Sequence, residues 1–196
     1  MPVGVWLVVA AMVVVAAVVL VAALAVGRRK RTARLKQRFG PEYERTISAA
    51  GARGVAEREL ADRERRREDL DIVALEPSAA LRYAERWRGV QTTFVDDPFG
   101  ALAEADGLVT EVLRTRGYPV DDFDQRADDV SVDHPTVVAN YRAAHDVQLS
   151  SASADIGTEE QRQAFVHYRA LFDELLESQT HDNPSRDAGT AQEATA

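Results

Sequence analysis

The chain has 196 residues, with 24 basic and 32 acidic side chains and no cysteine, which leaves a formal charge of −8 at neutral pH. A chain of this size makes one small domain. Without thiols it has no disulfide, thiolate metal site or cysteine nucleophile, in keeping with a reducing compartment. Seven basic residues fall between Arg28 and Arg38, so residues 39–196 carry 17 basic against 32 acidic side chains, about −15, and that balance excludes DNA and RNA as partners.

The first predicted element is a membrane helix over residues 3–27. From Val3 to Val26 no side chain is charged, and these 24 positions extend about 36 Å as a helix, against roughly 30 Å of hydrocarbon. Lipid offers backbone N–H and C=O groups no partner, so a single segment crosses only as a helix, and the abundance of valine is no argument for a strand. Trp6 stands near one interface. Arg28, Arg29, Lys30, Arg31, Arg34, Lys36 and Arg38 crowd the other, in a basic juxtamembrane segment over residues 28–40. The positive-inside rule then predicts a single-pass protein of the bacterial inner membrane, N-terminus outside and the remainder cytoplasmic. The same collar is suited to anionic lipid headgroups. The rival reading is a secreted protein released by cleavage at Ala23-Leu24-Ala25. Against it stand the missing positive n-region, the length of the apolar run and the arginines that follow it. A lipoprotein is excluded for want of a cysteine.

Gly40-Pro41 is predicted to end that helix and start another. Residues 41–70 read as a charged helical stalk: after Tyr43, Ile47 and Ala50 the sequence becomes VAERELADRERRREDL, with Glu59/Arg63 and Asp62/Arg66 spaced to pair. A helix that is polar all round is a bridge or a solvated arm, and fully helical it would reach about 45 Å. A coiled coil with a second copy has only Val55 and Leu60 to offer as core positions.

Residues 71–176 read as a four-helix domain. Ile72, Val73 and Leu75 are linker residues expected to dock on it. Pro77 opens a helix with Leu81, Ala84, Trp87, Val90 and Phe94 inward. Asp97 caps the next helix, which turns Leu102, Ala105, Val109, Val112 and Leu113 inward and ends at Gly117. Residues 120–134 are expected to hold at most a short helical turn around Phe123. Pro135 begins a helix with Val138, Tyr141, His145 and Leu149 on one side, and a flexible SSASADIG connection leads to a last helix with Phe165, Tyr168, Phe172, Leu175 and Leu176 inward. Thr158 and Gln161 have capping-box spacing. The tail over residues 177–196 is polar, small and aperiodic, and reads as disordered. The fold class is therefore all-α, with no strand pattern.

Little in the chain points to chemistry. His134 and His145 are eleven residues apart, ~16 Å along one straight helix, and cannot share an ion there. Asp121, Asp122, Asp124, Asp128, Asp129 and Asp133 are acidic enough for a hard cation. However, an EF-hand register starting at Asp122 puts Ala127 where glycine is needed and Asp133 where glutamate is needed, so capping and solvation are the simpler roles. NYRAAH and HYRALF recur at equivalent places in the last two helices, which ordinary packing of an inward tyrosine with an arginine rim explains. If a pocket exists between helices, Asp133, His134, Tyr141 and His145 are its candidate residues.

RFGPEYERT, ERELADRERRREDLDI, RYAERWRGVQTTFVDDP, EADGLVTEVLRTRGYP, SVDHPTVVANYRAAH and HYRALFDELL together resemble a group of short bacterial proteins, frequent in actinobacteria, without an established activity. The resemblance spans roughly residues 35–176 and implies a membrane-tethered helical domain in a bacterial envelope; it brings no catalytic residues. The expectation is a non-enzymatic adaptor with no cofactor and no metal, bound to the lipid bilayer and to another protein. The alternatives are a membrane-anchored enzyme or small-ligand sensor, and a homo-oligomer joined through the stalk.

Overall fold

The computed structural model describes residues 2–151 and 156–177. The expectation of disorder beyond Glu177, and that of flexibility for residues 152–155 of the SSASADIG connection, lie outside the described residues. Among those described the chain is helical, with no strand: α1 (Pro2–Phe39), α2 (Pro41–Ala50), α3 (Arg53–Glu68), α4 (Pro77–Asp96), α5 (Pro98–Arg116), α6 (Phe123–Asp133), α7 (Val138–Ser151) and α8 (Thr158–Glu177).

One helix, α1, is long and apolar enough to cross a membrane. Its large side chains from Met12 to Val26 are 51–66% exposed, because nothing else among the described residues covers them. An apolar surface of that extent marks contact with a membrane or a partner. The helix runs unbroken through Ala23-Leu24-Ala25 to Phe39, about 20 Å beyond Val26.

The expected stalk is the first correction. Residues 41–70 do not extend as one arm. Gly40 takes φ 47° and turns the chain back into α2; Gly51, in the left-handed region at φ 68°, turns it again into α3, its amide donating to Ile47 O at 3.0 Å. Positive φ costs glycine nothing, which is why both turns fall there. The register of α3 on α1 is parallel: Arg31 and Thr32 meet Glu57, while Arg34 and Arg38 meet Glu64. Leu35, Phe39, Tyr43, Leu60 and Val132 of α6 form a small core between these helices, flanked by Ile47. Leu60 is thus spent inside the chain and is not free for a coiled-coil seam.

The larger core belongs to α4–α8. Asp97 caps α5 as expected, accepting from Gly100 N at 2.9 Å, and the α4–α5 hairpin packs against α8, which also packs on α7. Trp87 stacks on Phe165 and Phe172 with centroids 5.2 and 4.6 Å apart, and Phe94 meets Phe165 at 4.5 Å. The expected inward residues of α5 are all buried, and on α8 Phe165, Tyr168, Phe172 and Leu175 are buried with Leu176 partly so. Two expected positions face outward. Leu81 is 70% exposed, because α4 turns Ala79, Tyr83, Trp87 and Val90 inward; Leu149 is 57% exposed, and Ala144 fills the core on α7 instead. In the linker, Ile72 and Leu75 dock on the core, while Val73 is fixed through its backbone, its amide donating to Arg116 O at 2.9 Å.

The domain also has a fifth helix. Residues 123–133 form α6, three turns in place of one, capped by Asp122 accepting from Gln125 N at 2.7 Å. It buries Ala127, Val130 and Val132 and lies between α3 and α7. This helix joins the two cores, and α7 starts only after a turn over residues 135–137.

Candidate functional site

The four residues expected around an inter-helix pocket do not converge. Asp133 closes α6 and accepts from Tyr118 Oη at 2.6 Å and from Arg67 Nε. Burial, then the nearby Asp133 carboxylate, push the Tyr118 phenol well above its usual range. His134 is buried beside Asp133, with Nδ1 3.3 Å from Glu174 Oε1; burial lowers its pKa below the usual 6.5 despite that carboxylate. Tyr141 and His145 lie elsewhere, one turn apart on α7. The His145 ring stacks on Phe123 at 3.6 Å and its Nδ1 is 3.5 Å from Asp106 Oδ1, which also accepts from Tyr168 Oη at 3.1 Å. Tyr141 sits between Phe123 and Tyr168, with the Arg126 guanidinium 5.8 Å from its ring centre. These are two separate polar joints that position helices.

The largest concentration of buried charge was not foreseen. Glu42 of α2 is fully buried, and its Oε1 accepts from Arg63 of α3 at 3.0 Å and from Arg142 of α7 at 3.1 Å. The same two arginines reach Asp128 Oδ1 of α6, at 3.1 and 2.8 Å. Two carboxylates and two guanidiniums therefore close a ring across four helices. Glu59 adds its expected pairing to Arg63, and Ser131 Oγ lies 3.5 Å from Arg63. The expected Asp62/Arg66 pair gives way to Arg66 with Asp129, at 3.6 Å; burial holds the Asp129 carboxyl above its usual range, against the pull of Arg66. Arg63, Arg66 and Arg67 thus face Asp128, Asp129 and Asp133, and the acidic stretch is the counterpart of the arginine run. Among the described residues no group of three or more acidic, histidine or cysteine side chains could hold a metal ion.

The basic collar builds a second feature. Arg28, Arg29, Arg31 and Lys36 of α1, with Arg53 and Arg58 of α3, line an open groove of about 710 Å³. Its one acidic residue, Glu57, is turned toward hydroxyls, its Oε1 accepting from Thr32 at 2.7 Å and Tyr43 at 2.9 Å. Lys36 pairs with Glu44 at 2.8 Å, whereas none of the five arginines is ion-paired to a described carboxylate. Of the rest of the collar, Arg34 and Arg38 are taken up by Glu64, and Lys30 is exposed. Arg53 and Arg58 were missed because they stand 15 and 20 residues after Arg38, the last of the collar, and only the two glycine turns bring them back to it. Residues 28–70 carry 14 basic against 8 acidic side chains, and residues 71–177 carry 9 against 21, so the charge is sharply divided along the molecule.

In comparisons with protein-family models, with curated proteins and with solved structures, nothing matches the chain.

Proposed function

We propose that this is a single-pass membrane protein whose helical domain binds another protein and acts by recruitment, without catalysis. The single observation that carries the reading is the ring of Glu42, Arg63, Asp128 and Arg142. It ties the helices around the emerging end of α1 to the larger bundle, so the bundle is mounted on its anchor with little freedom to swing. A rigid mount holds a binding face at a fixed height above the bilayer, and tethering raises its effective concentration there. The side chains best suited to acid–base chemistry are used to fix helices, which favours a binding role over a reaction. Continuity of α1 through Ala23–Ala25 into the buried Leu35 and Phe39 favours retention of the anchor over cleavage. On the positive-inside rule, the bundle belongs in the cytoplasm and the N-terminus outside.

The test is site-specific photocrosslinking of the full-length protein in native membranes, with the reactive residue introduced in turn along the exposed faces of α4, α5, α7 and α8. One contiguous set of positions is expected to give a single discrete adduct with one other protein. The reading fails if no such set exists while the purified full-length protein shows a reproducible rise in Tm with a nucleotide, metal ion or metabolite. Native-state binding stabilises by ~2.7 kcal/mol at a hundredfold excess over Kd, so a bound small molecule would not escape notice.

A further inference from the structure

Positive-inside topology accounts for basic residues immediately after a membrane helix, but not for two more arginines folded back to the same spot. In the parallel register of α1 and α3, Glu57 stands level with Arg31 and Thr32. Arg53, one turn before Glu57, is therefore level with residues 27–28, within a few ångströms of the last apolar position on α1. The α2–α3 turn thus faces the bilayer, and α3 points its N-terminal end at the headgroup layer. That layer occupies roughly 5–7 Å beyond the hydrocarbon on each side.

The groove between the two helices has the chemistry of a phosphate receptor. Two of its arginines are held by main-chain bonds, Arg31 to Glu57 O at 3.1 Å and Arg58 Nε to Gly54 O at 3.1 Å. Five arginines gathered around the single carboxylate of Glu57 leave a net positive charge, and an anion seated among them relieves their mutual repulsion. Gly54 leaves the floor open, since a Cβ built there would meet nothing within 4 Å. Ala52 supplies no side-chain cap, so the first amides of α3 add to the positive field. Guanidinium groups bind phosphate oxygens in paired hydrogen bonds and suit this role better than lysine does.

We propose that this groove is a binding site for the phosphate headgroup of an anionic glycerophospholipid in the leaflet where α1 emerges, with Arg53 and Arg58 completing a site that the collar begins. The proposal rests on α1 staying in the bilayer and is independent of the recruitment role. The lipid would hold the α2–α3 hairpin against the membrane and so fix the orientation of the bundle above it.

The experiment uses the full-length protein in nanodiscs of phosphatidylcholine, with its N-terminal mass checked so that loss of the anchor is recognised separately. Short-chain phosphatidylglycerol is titrated in at constant ionic strength and the rise in Tm is followed, with glycerol phosphate and inorganic phosphate titrated in parallel. The wild type is expected to respond to the lipid at concentrations where the soluble phosphates do nothing. The double variant Arg53→Gln/Arg58→Gln, which leaves the collar on α1 intact, is expected to need about 30-fold more lipid, from ~1 kcal/mol per basic residue near the surface. Its helicity and its Tm without added lipid should be unchanged, and Arg53→Lys/Arg58→Lys should recover only part of the response, the charge without the paired hydrogen bonds. An unaltered lipid response in the glutamine variant overturns the proposal, and so does an equal response to soluble phosphate.

Discussion

The molecule has two cores of opposite character. The one inside α4–α8 is apolar and aromatic, built on Trp87 between Phe165 and Phe172. The one inside α1–α3 has a handful of apolar side chains and is closed by Glu42, Arg63, Asp128 and Arg142. Apolar burial is non-directional and tolerant, at roughly 25 cal/mol per Å² removed from water. Buried ions stabilise only when every partner is present, because desolvation costs several kcal/mol per ion and must be offset by good geometry. The bundle therefore holds itself together. Helices α1–α3 are held by fit, and fit is what fixes how the larger bundle sits against them.

Truncation in the apolar core should have the largest effect. Trp87→Ala removes the ring that both Phe165 and Phe172 stack on and should cost about 3–5 kcal/mol, read as a loss of global stability in thermal unfolding followed by circular dichroism. Glu42→Ala should cost a comparable 3–5 kcal/mol, because it leaves Arg63 and Arg142 buried with Asp128 as their one shared carboxylate and only Glu59 beside Arg63, but the loss should be local to α1–α3 and α6. The sharper form of the comparison replaces the ring entirely. With Glu42→Leu, Arg63→Met, Asp128→Leu and Arg142→Met together, stability should return to wild type or rise, since apolar residues of similar volume can substitute for a buried ion cluster. Were the quadruple variant as weak as Glu42→Ala, the ring would be doing more than balancing its own desolvation.

Gly117 lies where the regions are joined, at the end of α5 with φ 99°, and a Cβ there would stand 2.4 Å from Asp71 O. Gly117→Ala should cost about 1–3 kcal/mol through strain and displace the linker, measured as a lower denaturant midpoint. The smallest expected effect is that of pH on His134. Its folded pKa lies below the unfolded 6.5 because it is buried, with Arg116 acting in the same direction and Glu174 and Asp133 opposing. As pH falls below 6.5 the unfolded chain takes up the proton first, so stability declines from there to the folded pKa and is unaffected above. His134→Gln should flatten that part of the Tm–pH profile.

The apolar core was largely legible in the sequence, because helical periodicity reports burial wherever burial is apolar. The inward faces of α5 and α8 and the cap at Asp97 follow from spacing alone. Leu81 and Leu149 were misassigned because periodicity gives a stripe about one residue wide either way, and the small Ala79 and Ala144 took the inner positions. The second core was not legible for a different reason. Residues 53–68 read as a solvated surface because hydropathy scores a buried, paired arginine and an exposed one alike. The signal that existed was complementarity of charge: Arg63, Arg66 and Arg67 against Asp128, Asp129 and Asp133, two runs of opposite sign. The acidic run also hid α6, which reads as a loop until its partners are known.

Hydrogen exchange by mass spectrometry on the full-length protein in nanodiscs, wild type against Glu42→Ala, tests the two-core account most directly. Protection should fall in α2, α3 and α6 and in residues 28–39 of α1, and should be retained in α4, α5 and α8. An equal loss of protection across all the helices would contradict the account, for it would mean that the ring and the aromatic core belong to a single cooperative unit.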